Sequence, residues 1–188
     1  MRSNSRIRKM CTLGLLAALA IALTLVVKFP LFPEFPFLEY DAGDAVILIG
    51  AYLYGPLSGI LLTLIVSLVQ GFTVSASAGL WGVLMHFCAT SVFVCVASLF
   101  YRRTRRLSSA VLGLVLAPIA ATIVMIPLNL WITSIYMNVP QETVKSILLP
   151  VILPFNLIKF SINAALGFLL WRPLRRLYAR RYGEGDVL

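Results

Sequence analysis

Residues 45–101, AVILIGAYLYGPLSGILLTLIVSLVQGFTVSASAGLWGVLMHFCATSVFVCVASLFY, contain no Asp, Glu, Lys or Arg. At about 1.5 Å of rise per residue, such a run makes roughly 85 Å of helix. A hydrocarbon core about 30 Å thick accommodates it only as nearly three crossings. Backbone groups in lipid must bond internally, which leaves helices or a closed barrel, and the run lacks the apolar/polar alternation of barrel strands. The rest of the chain agrees. It is 60% hydrophobic and 12% charged, with a mean hydropathy of +0.94, outside the range of soluble domains. The sequence predicts an all-α polytopic membrane protein: one compact bundle of six transmembrane helices forming a single domain over residues 1–188.

The expected helices run over about 10–28, 44–54, 57–73, 80–100, 109–136 and 147–171. The basic head before the first resembles a signal peptide, but the apolar run is too long for a signal core and reads as an uncleaved span. A proline-rich connector, FPLFPEFPFLEYD, follows it and precludes a regular helix. Asp44 is placed to cap the second helix, and GPLSG at 55–59 turns the chain into the third. Pro118 and Pro127 mark expected kinks in the fifth.

Charge tests the count. Thirteen of the 16 Lys and Arg lie in the N-terminal head, at 102–106 and in the tail from Arg172 to Arg181. Six crossings put all three on one face, which the positive-inside rule makes cytoplasmic, together with both termini. The net charge of +9 is thereby explained by anionic membrane lipids as partners, without nucleic acid. Five acids, Glu34, Glu39, Asp41, Asp44 and Glu142, fall on the opposite face beside Lys28 and Lys145.

One cation falls inside a span. Lys159 lies in PFNLIKFSIN, and a charge at membrane depth costs several kcal/mol, so it marks a substrate or ion site and requires a partner. Asn156, Lys159 and Asn163, at i, i+3 and i+7, share a helix face. Asn129 and Thr133 follow Pro127 at i, i+4, where a backbone carbonyl is freed. Together they form a wall of donors and acceptors able to grip the edge of a flat heterocycle; the alternative is a helix-to-helix hydrogen-bond network. Leu38, Glu39, Tyr40 and Asp41 end the first connector at the outer mouth, where Phe35 and Phe37 could help cover an amphipathic ligand. Gln70 and Thr73, with the small-residue run 75–79, are expected on the opposite rim. Gly14, Ala18 and Ala22, at steps of four, make a groove on the first helix for close approach of another helix, inside the bundle or on a partner.

Other chemistry is excluded by what is missing. No GxxxxGK[ST] loop is present, nor HExxH, nor a nucleophile elbow, so no catalytic residue is assigned and uphill transport would need energy from elsewhere. No internal repeat points to inverted halves. His86 is the only histidine and no His or Cys stands at zinc-ligand spacing from it, so no metal site is expected. Cys11, Cys88 and Cys95 read as small core residues.

The motifs FLEYDAGD, GPLSG, QGFTVSASAG, GVLMHFCAT, PLNL and PFNLIK resemble those of the riboflavin-specific S components (RibU type) of energy-coupling factor (ECF) vitamin transporters, over nearly the whole chain. The resemblance implies a membrane-embedded protein of the bacterial plasma membrane that captures riboflavin or FMN as cargo, with no cofactor and no enzymatic activity. It implies docking on a transmembrane coupling subunit carrying two ATPases. It also assigns flavin binding to Asn129, Asn156 and Lys159, a pocket lining to Leu38 through Asp41, and the docking face to Ala18 and Ala22. Readings that stay open are an S component for folate or pantothenate, an intramembrane enzyme using Asp41, Asp44 or His86, and a scaffold without ligand. The enzyme would need those three side chains to converge, which their sequence positions do not suggest.

Overall fold

The computed structural model describes residues 2–73, 79–104 and 106–182, with side chains described over 5–73, 79–104 and 106–177. Among the described residues, four helical stretches are long and apolar enough to cross a membrane: Ser5–Val26, Gly79–Thr104, Leu107–Met137 and Gln141–Leu177. Two shorter apolar helices, Gly43–Tyr54 and Pro56–Phe72, complete the bundle.

α1 (Arg2–Val26) begins in the basic head, eight residues before the expected start, and ends short of Lys28. The connector is not wholly irregular. β1 (Lys28–Pro30) pairs antiparallel with β2 (Glu39–Asp41), setting Lys28 opposite Asp41 and Phe29 opposite Tyr40. Among the described residues, this hairpin is the exception to an all-helical fold. Its prolines occupy the strand end and the loop, where a missing N–H is tolerated. Lys28 pairs with Glu39 at 2.5 Å, and the Phe29 and Tyr40 rings lie 5.3 Å apart.

α2 (Gly43–Tyr54) is buried on every side, and α1, α3 (Pro56–Phe72), α4 (Gly79–Thr104) and α8 (Leu153–Tyr182) all pack on it. A helix apolar all round is one enclosed by others. Asp44 does not cap α2: the cap position is Ala42, with no side-chain hydrogen bond, and Asp44 points into the bundle. The turn into α3 requires Gly55, whose φ of 91° is a region that side chains disfavour.

α5 (Leu107–Leu128) packs closely on α4 through Gly113. A Cβ there would fall 2.8 Å from the Ala97 carbonyl oxygen and 2.9 Å from Phe100 Cβ. Because the obstacle includes backbone, Gly113→Val is expected to destabilise the bundle by about 1–3 kcal/mol. Thermal unfolding in detergent would show it, and an unaltered transition would contradict this account of the contact.

The two expected helices of the C-terminal half are each interrupted. After Pro127, α5 widens into a π-helical turn, Asn129–Thr133, before α6 (Ser134–Met137). The polar connector is itself largely helical, as α7 (Gln141–Ile147), and a second π turn, Leu148–Ile152, leads into α8. Proline lies at or beside both turns (Pro127, Pro150), where its missing N–H loosens the α ladder, and single π turns often mark functional sites.

One end of the bundle is held by aromatic rings. Trp171, Tyr52 and Tyr101 lie within 4.8–5.3 Å of one another, with the Arg175 guanidinium 5.5 Å from Trp171 and 5.9 Å from Tyr101. Lys9 lies 5.5 Å over the neighbouring Tyr54 ring. Of the three cysteines, Cys11 is exposed and the others half-buried, so none is the core residue expected.

Candidate ligand-binding site

Beneath the hairpin loop lies a cavity of about 210 Å³, far above the roughly 10–15 Å³ that admits a single water. Its polar wall comes from Asn129 and Thr133 on the first π turn and from Asn156 and Lys159 on α8. Met85, Ala89, Met125, Phe155 and Phe160 provide apolar surface, and Phe37 and Leu38 from the hairpin loop cover it. Ser67, Gln70 and Gly71 of α3 form the facing rim.

The π turns place the asparagines. Asn129 Nδ2 donates to the Met125 carbonyl at 2.8 Å and Asn156 Nδ2 to the Ile152 carbonyl at 2.8 Å. Thr133 Oγ1 donates to Asn129 Oδ1 at 3.0 Å. Each amide is thereby held by its own helix. A carboxamide has two donor hydrogens and two acceptor lone pairs, so both keep capacity for a further partner.

Lys159 has the partner its burial demands, and that partner is protein. Its Nζ lies 2.8 Å from Asp41 Oδ2 and 3.9 Å from Asp44 Oδ2. Asp41 is further held at Oδ1 by the Gly43 amide (3.2 Å) and by Thr24 Oγ1 (3.5 Å). The partner that the sequence called for is thus a carboxylate of the chain itself, although the ammonium still lines the cavity. Asp41 and Asp44 likewise belong to the interior, not to an acidic outer mouth.

Asp44, wholly buried, accepts from Thr90 Oγ1 at 2.9 Å and faces His86 Nε2 at 3.2 Å, while His86 Nδ1 lies 2.7 Å from Ser67 Oγ. The Nε2 contact is close but outside hydrogen-bonding geometry, so it acts through electrostatics alone. The expectation that Asp41, Asp44 and His86 stay apart is overturned, since their ligand atoms lie within 4.8 Å of one another. They meet because β2, α2 and α4 adjoin in space while lying far apart in sequence. Lys159 lies against the two carboxylates of this cluster, 2.8 Å from Asp41 and 3.9 Å from Asp44.

The other predicted site residues divide. Leu38, Glu39, Asp41, Gln70, Asn129, Asn156 and Lys159 line the cavity. Tyr40 is turned away onto Phe29 and buried, which, with the nearby Asp41 and Asp44 carboxylates, pushes its phenol above the ordinary range. Thr73 is exposed and bonds the Val69 carbonyl at 2.7 Å. Residues 74–78 of the small-residue run lie outside the described residues. Asn163 ties α8 to the hairpin, donating to the Asp41 carbonyl at 3.0 Å and the Lys159 carbonyl at 3.2 Å. Gly14, Ala18 and Ala22 lie on the outer side of α1, which packs inward through Leu16, Ala17, Ala20 and Thr24.

Sequence reading missed Ser67, His86 and Thr90 as wall residues. The available signal was polarity: three hydrogen-bonding side chains in apolar helices, with His86 and Thr90 one turn apart on a single face.

The model of the family "ECF transporter, substrate-specific component" matches residues 8–171. The riboflavin transporter RibU of Staphylococcus aureus (strain TCH60) is 29% identical over 180 residues, covering 92% of this chain and 93% of its own. RibU of Lactococcus lactis subsp. cremoris (strain NZ9000) is 30% identical over 129 residues, 68% of this chain and 63% of its own. The riboflavin transporter FmnP of Bacillus subtilis (strain 168) is 28% identical over 163 residues, 82% and 85% respectively. A solved structure described as that of the S component of a bacterial ECF transporter superposes with a TM-score of 0.80 at 28% identity, covering 92% of this chain and 98% of its own. These homologues are transport components, not enzymes, so the convergence of Asp41, Asp44 and His86 is not a catalytic centre. With a helical membrane bundle, a walled cavity under a hairpin and a family match over most of its length, the chain belongs to the substrate-specific components of ECF transporters.

Proposed function

We propose that the cavity binds riboflavin, with its phosphate ester FMN as the nearest alternative, and that the chain delivers this cargo to an energised coupling module at the bacterial cell membrane. The observation that carries the ligand is the pairing of a polar wall with apolar surface in one cavity. Asn129, Thr133, Asn156 and Lys159 offer the mixed donors and acceptors that a pyrimidine edge needs, and Phe155, Phe160, Met85 and Met125 offer surface for a flat ring system. Curated riboflavin transporters similar over most of this chain favour the same ligand. Folate and pantothenate are acidic, and a wall whose lysine is already matched by Asp41 suits them less.

Six crossings with both termini cytoplasmic remain the topology we favour. α2 and α3, with 12 and 17 residues, are roughly 18 and 26 Å long. Such lengths fall short of the hydrocarbon core and would rely on flanking turns and local thinning. Clustering of Lys9, Arg175 and the end of α4 around the aromatic rings supports a single basic face. The outward small-residue stripe of α1 is our candidate docking face for a coupling subunit carrying ATPases, because side chains no larger than alanine let a partner helix approach closely.

The direct test is an absorption spectrum of detergent-purified protein, followed by quenching of intrinsic fluorescence on titration with riboflavin. A flavin band, or saturable quenching, supports the proposal; neither at micromolar flavin sinks it. Asn156→Ala is expected to weaken riboflavin binding about tenfold, since a desolvated hydrogen bond is worth about 0.5–1.5 kcal/mol and a partner stranded without it costs more. Wild-type affinity in that variant would remove Asn156 from the site.

A further inference from the structure

Asp44 forms no part of the cavity surface, yet three cavity-lining side chains converge on its carboxylate. Thr90 Oγ1 lies at 2.9 Å, His86 Nε2 at 3.2 Å and Lys159 Nζ at 3.9 Å. It is wholly buried, and its Oδ2 accepts no hydrogen bond. Among the charged groups around the cavity, Lys28 is matched by Glu39 and Lys159 by Asp41. Asp44 is the carboxylate left over. Among the described residues around the cavity, three carboxylates, Glu39, Asp41 and Asp44, therefore stand against two ammoniums, Lys28 and Lys159.

A charge in so dry a place is felt far away. At an effective dielectric near 20, unit charges even roughly 10 Å apart shift an equilibrium by about tenfold. We infer that Asp44 is a specificity-determining residue acting from behind the wall: it orients His86, Thr90 and Lys159, and its charge biases the cavity toward neutral ligands and against anionic ones. Two roles follow from one side chain. Removing its charge while keeping its shape leaves a wall that still offers donors but no longer repels a phosphate.

This inference rests on the flavin reading, and riboflavin and FMN supply the probe, being one ring system without and with a phosphate. Dissociation constants of both are to be measured for the purified wild type, Asp44→Asn and Lys159→Gln. The wild type is expected to favour riboflavin. Asp44→Asn should shift the riboflavin-to-FMN affinity ratio toward FMN by about tenfold, whatever happens to absolute affinity. Lys159→Gln removes a positive charge and should shift the ratio the opposite way, which keeps the question answerable if Asp44→Asn does not fold. A purely structural role for Asp44 would weaken both flavins alike; an unchanged ratio in whichever variant folds overturns the inference, as does equal affinity of the wild type for the two. Binding of neither flavin by the wild type would overturn the proposed ligand and this inference with it, whereas flavin binding with an invariant ratio overturns this inference alone.

Discussion

Lys159→Ala is expected to lose at least tenfold in flavin affinity and, unlike Asn156→Ala, to lose stability as well. The reason is the company that Lys159 keeps. Its ammonium lies 2.8 Å from Asp41 and 3.9 Å from Asp44, both buried. Deleting one member of a buried ion pair strands the other, at a cost of about 3–5 kcal/mol. The Lys159–Asp41 contact also ties α8 to β2 beside the bond from Asn163 to the Asp41 carbonyl, so the hairpin loop over the cavity loses one of these two anchors together with the wall's cation. A desolvated hydrogen bond to a charged group is worth about 1.5–3 kcal/mol, enough by itself for a tenfold loss. Fluorescence titration and thermal unfolding of the same preparation separate the two effects. Lys159→Ala with wild-type affinity would remove the lysine from the binding site, and a normal unfolding transition would show that the carboxylates find other compensation.

The second large effect should appear in transport and not in binding. Ala18 and Ala22 lie on the exposed side of α1, while Leu16, Ala17, Ala20 and Thr24 pack inward. At Gly14, on the same stripe, a Cβ would meet nothing within 4 Å. Leucine or tryptophan at 18 and 22 therefore has room within this chain but would hold a partner helix away. Such variants are expected to bind flavin with unchanged affinity and to lose nearly all uptake in cells that require external riboflavin. Impaired binding would mean that the stripe faces the protein's own interior, and normal uptake would mean that the coupling subunit docks elsewhere.

The asymmetry between the two sites follows from how each is built. The proposed docking stripe lies on one helix, so steps of four in a short segment were enough to mark it in the sequence as a candidate. The cavity draws on α1, the hairpin and every helix from α3 to α8 except α7. Its two stripes of local periodicity, 129/133 and 156/159, were legible, as were the connector residues Leu38, Glu39 and Asp41 and the rim residue Gln70. His86, Ser67 and Thr90 were polar residues without visible partners, because Asp44 is 42 positions from His86 and 46 from Thr90.

What the sequence determined by itself was what depends on composition and local spacing. An uncharged run of such length has to cross lipid as helix, a lysine inside a span has to find a partner, and small residues at steps of four have to form a groove. None of these needs a distant residue to be known. The tertiary structure alone decided who the partners are. It turned Asp44 from the expected helix cap into a buried hub, paired Lys159 with Asp41 across 118 positions, formed a hairpin within the proline-rich connector and opened two π turns that place the asparagines beside the cavity. Charge pairing and close packing are fixed by distances in space, and those emerge only when the helices come together.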